Sequence, residues 1–352
     1  MTFLFNLIVF VLLLSVIVIV HEFGHFITAK KFGVYCSEFS IGMGPVLYQR
    51  KFGETAFSIR LLPIGGYVAM AGEEGNDIVD VPYERTINGI KAWKQIVVMA
   101  AGAFMNVVLA WVLFVGVVMA RGTVAGPYLP VVSTVIEKSP AATVGLQVGD
   151  EIVKVTLNDG TTFVPETFDE IVEKIQKDPS ARVIYTIKRG EAVSDYVITP
   201  VLNEETGAYQ IGIGASPSII ELKWYEAFKY GTQDMIGMGA SIFDALKNLV
   251  RGIGLQDMSG PVGIFQATSQ ITQSGFSTLM RWMGFLSLNV GIFNLMPLPI
   301  LDGGRILIVA LERLIGKKMS ERMQTIVMMA GAILVFGLMI YVTFNDIFRL
   351  FR

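Results

Sequence analysis

Charged residues, cysteine and histidine are all scarce in this sequence of 352 residues. Charged residues make up 16% of the chain, whereas a soluble globular domain has about 25%. Hydrophobic residues make up 53%, and several long apolar runs occur along the chain. An ordinary soluble globule is therefore excluded, and the composition indicates a polytopic membrane protein surrounded by a lipid bilayer. The formal net charge of −2 gives no reason to expect nucleic acid as a partner.

The single cysteine, Cys36, excludes an internal disulfide and a zinc site built from cysteines. We interpret Cys36 as a small packing residue. Both histidines of the chain, His21 and His25, lie at the end of the first apolar run. Ionisable groups within an apolar span are energetically costly, and they indicate a functional site.

Four apolar runs are long enough to cross a bilayer as helices, which takes about 20 residues each. They are residues 3–29, 95–120, 281–311 and 323–345. The third run is broken by Pro297 and Pro299, and such a break is tolerated where the backbone lines a cavity enclosed by protein. No basic segment precedes the first run, and Lys30 and Lys31 follow it. No convincing cleavage site lies between the run and these two lysines. We therefore predict a retained span rather than a signal peptide.

The pattern predicts a polytopic α-helical membrane protein with about four transmembrane helices and an inserted mixed α/β domain. Residues 48–70 alternate apolar and polar side chains around a glycine turn, which predicts a β-hairpin or sheet in the segment that joins the first two spans. The predicted parts are an N-terminal membrane region 1–123, a soluble domain 124–215, an amphipathic helical region 216–280 and a C-terminal membrane region 281–352.

Basic residues near the ends of the spans predict the orientation of the chain in the membrane. The loop after the first span and the loop between the last two spans are both basic, so both are expected at the cytoplasmic face. The soluble domain and both termini are then expected outside. Arg349 and Arg352 count weakly against this orientation. The basic residues are Lys30, Lys31, Arg50, Lys51, Arg60, Arg85, Lys91 and Lys94 in the first loop, and Arg313, Lys317, Lys318 and Arg322 in the second.

The segment HEFGH, residues 21–25, has the HExxH spacing of zinc metalloproteases. Residues four apart share one face of a helix, so His21 and His25 can present two imidazoles to one zinc ion. Glu22 then lies beside the ion, where it can deprotonate the bound water. A polar cluster without metal at a helix end is the alternative for an isolated match of this kind.

A catalytic zinc needs a third protein ligand, and no other histidine exists. The best candidate is Asp302, which lies in an apolar span just after the proline break; Cys36 is a weaker candidate. Asp302 could instead cap a helix. Asn294 could bind a peptide carbonyl or an oxyanion, or it could form an interhelical hydrogen bond. Iron or cobalt could occupy the same ligands, so zinc rests on ligand type and on the resemblance described next.

HEFGH together with the later segment NLMPLPILDGG (294–304) resembles the site-2 family of intramembrane zinc proteases, most closely the bacterial regulator-of-sigma-E-protease group. Four further regions resemble that family's membrane re-entrant β region, its second-span motif, its extracytoplasmic PDZ domain and the segment before its third span. They are residues 39–51 with 61–73, 100–110 (Gly102, Asn106), 139–155 and 259–264. Only one PDZ domain fits in this chain, whereas the enterobacterial type has two, so the resemblance is to the single-PDZ type.

The resemblance implies His21, His25 and Asp302 as zinc ligands, Glu22 as general base and Asn294 as a substrate-binding residue. The implied reaction is cleavage of a peptide bond within a transmembrane substrate, after an upstream site-1 protease has removed the outer domain. Typical substrates are anti-sigma factors and remnant signal peptides. The implied location is the bacterial inner membrane, with the PDZ domain extracytoplasmic and the active site near the cytoplasmic side.

A transmembrane substrate must unwind before its carbonyls can be attacked. An edge strand could hold the unwound segment by β-addition, and Ile64, Gly65, Gly66 and Tyr67 are the predicted binding residues. Two other classes of protein are alternatives on the sequence alone. Prenyl-protein-processing metalloproteases also use HExxH but need a different third ligand and more spans. A catalytically inactive PDZ-bearing membrane scaffold would have no use for a general base beside a metal site.

Overall fold

The computed structural model describes residues 2–73, 81–177, 182–203, 208–254, 258–317 and 319–350. The basic residues Lys318 and Arg352, used above for the orientation, lie outside them. The helices are α1 (Thr2–Lys31), α2 (Ala92–Arg121), α3 (Pro140–Thr143), α4 (Phe168–Lys177), α5 (Glu226–Val250), α6 (Pro261–Ile271), α7 (Phe276–Asn294), α8 (Asp302–Ile315) and α9 (Glu321–Leu350). The strands are β1 (Cys36–Phe52), β2 (Thr55–Met70), β3 (Thr123–Val135), β4 (Glu151–Thr156), β5 (Thr162–Phe163), β6 (Val183–Arg189), β7 (Ala192–Ile198), β8 (Val201–Asn203), β9 (Ala208–Gln210) and β10 (Ile213–Glu221).

Two compact units make up the chain, one from Met1–Arg121 with Trp224–Arg352 and one from Gly122–Lys223. In the first unit, α1, α2 and the Arg322–Arg349 part of α9 are long and apolar enough to cross a membrane. Three of the four predicted spans therefore coincide with such helices. The remaining predicted span, residues 281–311, is divided between α7 and α8. A fourth transmembrane helix stays a prediction.

The predicted β-hairpin after the first span is a folded-over sheet of β1 and β2. The first half of β1 lies between the two halves of β2, so that Phe39 is opposite both Val68 and Phe57. The second half of β1 pairs with the first half of β2, as at Lys51 and Ala56. In the described pairing, the Gly66–Met70 half of β2 therefore has a strand on one side only and forms an edge of this sheet.

The turn between α7 and α8 positions the start of α8. Pro297 and Pro299 lack the backbone N–H that a continuous helix needs, so the helix stops at Asn294. Gly303 and Gly304 then pack directly on this turn, because a Cβ on Gly303 would lie 2.3 Å from the Leu295 carbonyl oxygen. A Cβ on Gly304 would lie 2.1 Å from the oxygen of Leu298. The two glycines thus permit the close contact that places Asp302.

The segment SGPVGI (259–264), before the third predicted span, is hydrogen-bonded to a side chain of α9. The Asp346 carboxylate, buried in α9, accepts hydrogen bonds of 2.8 Å from the backbone N–H groups of Gly260 and Gly263. These N–H groups belong to the start of α6, where no residue of α6 itself provides a side-chain cap. Asp346 therefore caps α6 from a different helix and ties α9 to it.

The second unit contains an antiparallel sheet in the order β10-β3-β4-β6-β7, with β5 paired to β4 and a separate β8-β9 hairpin. Its core includes Tyr185, Ile152 and Ile171, the last of these from α4. The prediction that a helical region begins at residue 216 was wrong in detail. Residues 216–221 belong to β10, because the β-branched pair Ile219 and Ile220 is aligned with β3.

Candidate metal centre

His21 and His25 lie one turn apart on α1, on the side that contacts α2. The two helices come close because both carry glycine there. A Cβ on Gly24 would lie 2.3 Å from the Ala101 carbonyl oxygen, and a Cβ on Gly102 would lie 2.4 Å from His25 Nε2 and 2.7 Å from His21 Nε2. Gly102 therefore provides the space that the two imidazole rings occupy.

Three potential ligand atoms converge at this point. His21 Nε2 lies 3.1 Å from His25 Nε2, and Asp302 Oδ2 lies 3.1 Å from His21 Nε2 and 3.4 Å from His25 Nε2. In a tetrahedral zinc site with bonds of about 2.0–2.1 Å, neighbouring ligand atoms are about 3.3 Å apart. In the part of the chain that the structure describes, this is the one group of three or more His, Cys, Asp or Glu residues with such proximity.

The Asp302 carboxylate has the environment of a metal ligand. It is the first residue of α8, whereas the residue at the N-cap is Leu301, which makes no side-chain cap. Its Oδ2 is buried and has no hydrogen-bond partner among the described residues, although two imidazole nitrogens lie within 3.4 Å. A buried carboxylate oxygen without a donor is costly. A cation bound between the three atoms would satisfy it, so the residues present fit a zinc ion.

The outer nitrogens of both histidines also have partners. His25 Nδ1 lies 2.8 Å from the Val98 carbonyl oxygen. A carbonyl can only accept, so Nδ1 carries the hydrogen and the neutral ring presents the lone pair of Nε2 toward Asp302. Asn106 contacts His21 Nδ1 at 3.3 Å through its side-chain amide. Metal-binding histidines usually have such a partner on the second ring nitrogen.

Glu22 faces a cavity of about 360 Å³ that also contains the three ligand candidates. The edge of β2 forms another wall of the cavity through Tyr67, Val68 and Met70. Gly66 lies beside Glu22, since a Cβ there would be 3.9 Å from Glu22 Cγ. The cavity therefore brings a carboxylate and the edge of a β-sheet to the candidate metal site.

The substrate-binding residues predicted from sequence are only partly brought to this cavity. Tyr67 lines it and Gly66 adjoins Glu22, whereas Ile64, Gly65 and Asn294 are not among the residues that line it. Ile64 is 58% exposed on the hairpin, and Asn294 is the last residue of α7. The hydroxyl of Tyr67 donates to Glu38 at 2.7 Å and accepts from Arg60 at 2.6 Å.

Four residues at this site have no role that the sequence alone predicts: Asn106, Gly102, Arg305 and Glu73. Arg305 donates a hydrogen bond to Glu73, and both side chains line the cavity. Asn106 and Gly102 belong to the segment that resembles the family's second-span motif, and the sequence alone assigns neither of them a function. Arg305 follows Asp302 by three residues, which places both on one side of α8 and was a signal available in the sequence.

The sequence model of Peptidase family M50 matches residues 9–338. A Clostridium perfringens protein named as a zinc metalloprotease is 38% identical over 344 residues, which cover 97% of this chain and 98% of the relative. The regulator of sigma-W protease RasP of Bacillus subtilis is 28% identical over 424 aligned positions, covering 98% of this chain and 99% of RasP.

A solved structure of a PDZ domain from Listeria monocytogenes is 27% identical and covers 26% of this chain and 88% of that domain. The TM-score of this match is 0.21.

Proposed function

Because the chain belongs to peptidase family M50 and is a zinc metalloprotease of the site-2 protease type, we propose that it hydrolyses peptide bonds within transmembrane segments. The observation that carries this proposal is the convergence of His21 Nε2, His25 Nε2 and Asp302 Oδ2 within 3.4 Å of one another, beside Glu22. The two histidines lie on α1, which packs against α2, and both helices are apolar enough to cross a membrane.

His21, His25 and Asp302 would hold the zinc ion and leave a fourth position open, as a catalytic site requires. When bound, zinc lowers the pKa of its water to about 7, which makes hydroxide available at neutral pH. Glu22 acts as the general base that accepts the proton of the attacking water. It then donates that proton to the nitrogen of the departing amine.

Asn106 orients His21 in this proposal. Its Oδ1 is buried without a partner among the described residues, and its Nδ2 lies 3.3 Å from His21 Nδ1. The amide oxygen and nitrogen have nearly the same shape, so a half-turn of the amide is sterically easy. The turned amide accepts from the Nδ1–H of His21, and Nε2 then has its lone pair free for the metal.

The edge of β2 holds the substrate. A transmembrane helix must unwind to expose a carbonyl, and the unwound backbone then needs new hydrogen-bond partners within the membrane. The Gly66–Met70 edge provides them by β-addition next to Glu22. Ile64 and Gly65 extend this edge. Asn294, the last residue of α7, also binds the substrate.

The Gly122–Lys223 unit is a single PDZ domain on the extracytoplasmic side of a bacterial inner membrane, in the orientation proposed from the basic loops. Its six-stranded antiparallel sheet and helix α4 support this assignment. It either filters substrates by size or binds their new C-termini. The substrates are membrane proteins such as anti-sigma factors or remnant signal peptides, and a site-1 protease trims them first.

Cleavage of a tagged model transmembrane segment in membranes, with metal quantified in the same preparations, tests the catalytic assignment. Wild type is compared with Glu22→Gln, which keeps the shape of the side chain but cannot act as a base, and with Asp302→Asn. We expect one zinc per chain and no cleavage for Glu22→Gln, and loss of both zinc and cleavage for Asp302→Asn. Cleavage by Glu22→Gln at the wild-type rate would reject Glu22 as the base. A further single variant, His21→Ala, removes another proposed zinc ligand. Full zinc content in both Asp302→Asn and His21→Ala would reject the metal site.

A further inference from the structure

A second cavity, of about 760 Å³, lies between the beginning of α2 and the end of α8. Lys91 and Arg313 contribute cationic groups to it, and Trp93 contributes an indole ring. The rest of its lining is apolar and consists of Ala92, Ile96, Ala310 and Leu314. This groove is separate from the candidate catalytic cavity, because the two share no lining residue.

The two cations of the groove have no ion pair with any described carboxylate. Glu312, which precedes Arg313 in the chain, accepts hydrogen bonds from the Met319 N–H at 2.7 Å and from Gln324 at 3.2 Å. Its carboxylate is directed to these two groups and forms no ion pair with Lys91 or Arg313. The groove therefore presents two cationic side chains that have no ion-pair partner among the described residues.

A third cation reinforces this charge. The amine of Lys94 lies 5.3 Å from the centre of the Phe32 ring and 5.9 Å from that of Trp93. Trp93 itself is 55% exposed and is the second residue of α2, a helix that is apolar enough to cross a membrane. Tryptophan and basic residues in such positions mark the boundary between the hydrocarbon core and the headgroups.

We propose that this groove binds an anionic phospholipid of the cytoplasmic leaflet. The phosphate is held by Lys91 and Arg313, and an acyl chain lies along Ile96, Ala310 and Leu314. Leu314 is 83% exposed, so an acyl chain would cover apolar surface that is otherwise uncovered. A soluble phosphate would leave the apolar wall of the groove empty, and a neutral lipid would leave the two cations without a counter-charge. The volume of the groove is in the range of ligand sites in proteins.

Lipid binding to the purified, delipidated full-length chain tests this proposal. Native mass spectrometry counts bound dioleoyl phosphatidylglycerol during a titration, with dioleoyl phosphatidylcholine as the neutral comparison. Each basic residue near an anionic lipid surface contributes about 1 kcal/mol to the binding free energy. The double variant Lys91→Ala/Arg313→Ala should therefore bind phosphatidylglycerol about 30-fold more weakly. Equal affinity of the wild type for the two lipids would overturn the proposal.

Two variants separate the groove from general surface charge. Lys317→Ala/Arg322→Ala also removes one lysine and one arginine from the same predicted face, outside the groove, and should retain wild-type affinity. Ala310→Trp fills the groove without changing its charge and should weaken binding of phosphatidylglycerol. An equal loss in the control pair, or undiminished binding by Ala310→Trp, would show that charge alone attracts the lipid and would contradict a site in the groove.

The source of the phosphate is tested with inorganic phosphate. The midpoint temperature of thermal unfolding is measured for the wild type in phosphatidylcholine nanodiscs. It should rise when phosphatidylglycerol is included and should not change with millimolar inorganic phosphate. The charge-retaining variant Lys91→Arg/Arg313→Lys should behave as the wild type. A shift with inorganic phosphate as large as that with phosphatidylglycerol would assign the groove to a soluble anion and reject the lipid.

Discussion

Arg305 donates a hydrogen bond to the carboxylate of Glu73, although 232 positions separate the two residues in the chain. Arg305 lies one turn after Asp302 on α8, and Glu73 follows the end of β2 at Met70. The pair therefore connects the helix that carries the third proposed zinc ligand to the strand that forms the proposed substrate edge. Both side chains line the cavity that contains Glu22.

Reversal of either charge in this pair should lower the cleavage rate about tenfold, and reversal of both should restore it in large part. Glu73→Arg and Arg305→Glu each place two like charges in contact in a partly buried position, whose repulsion we take as about 1.4 kcal/mol. The measurement is cleavage of the model substrate by the two single variants and by Glu73→Arg/Arg305→Glu, with zinc content determined in each. A double variant no better than the single ones would mean that the pair does not act as a unit.

Gly102→Ala should lower zinc affinity by about 10- to 100-fold, as disturbance of ligand-supporting groups does in other metal sites. The added methyl group would collide with the nitrogens of His21 and His25 that face Asp302. Gly116→Ala on the same helix is the control, because nothing lies within 4 Å of its Cβ position. Gly116→Ala should be neutral or slightly stabilising, since alanine favours helix by about 1 kcal/mol. Equal zinc content in the two variants would contradict the role of Gly102.

A charge on the substrate edge should impair cleavage while zinc stays bound. Ile64→Lys introduces a charge next to the Gly66–Met70 edge at a residue that is 58% exposed, so the fold should tolerate it. Leu47→Lys is the matched control, because Leu47 is 63% exposed in the second half of β1, at the other side of the sheet. We expect the value of KM to rise for Ile64→Lys alone. Unchanged cleavage by Ile64→Lys, or an equal effect of Leu47→Lys, would contradict substrate binding at this edge.

The stability of the Gly122–Lys223 unit should depend on pH through Asp150. The buried Asp150 carboxylate accepts hydrogen bonds from the Arg189 guanidinium, at 2.7 Å to each oxygen, and from the Gln147 N–H. These contacts hold the pKa of Asp150 below its usual value. Since the folded-state pKa is lowered, the stabilisation is complete above the unfolded pKa of about 3.9 and is lost as the pH falls through the folded-state value.

Asp150→Asn should therefore destabilise this unit at neutral pH and weaken its acid sensitivity below about pH 4. The neighbouring Glu151→Gln is the control, because the Glu151–Lys188 pair is 3.9 Å long and about half exposed, and such pairs contribute little. Hydrogen exchange of residues 122–223 in the full-length chain, between pH 6 and 3, measures both variants. The same acid profile for wild type and Asp150→Asn would assign the pH dependence to other groups.

Much of the proposed catalytic site was predictable because its residue types are rare in this chain. With two histidines and few acidic groups in apolar segments, the choice of metal ligands was narrow. The broken span at Pro297 and Pro299 was also predictable, since proline cannot continue a helix. The β-hairpin followed from its alternating pattern, but the pattern does not indicate that β1 would fold between the two halves of β2.

The sequence by itself determined the class of the protein, the course of α1, α2 and α9, and the chemistry available at HEFGH, because composition and helical spacing are local properties. Only the tertiary structure decided which groups meet. Asn106 reaches His21 from another helix, Arg305 reaches Glu73, and Asp346 caps α6. Gly66 and Tyr67 adjoin the proposed catalytic cavity while Asn294 does not line it. These contacts depend on helix packing and strand register between distant segments, and no local pattern encodes them.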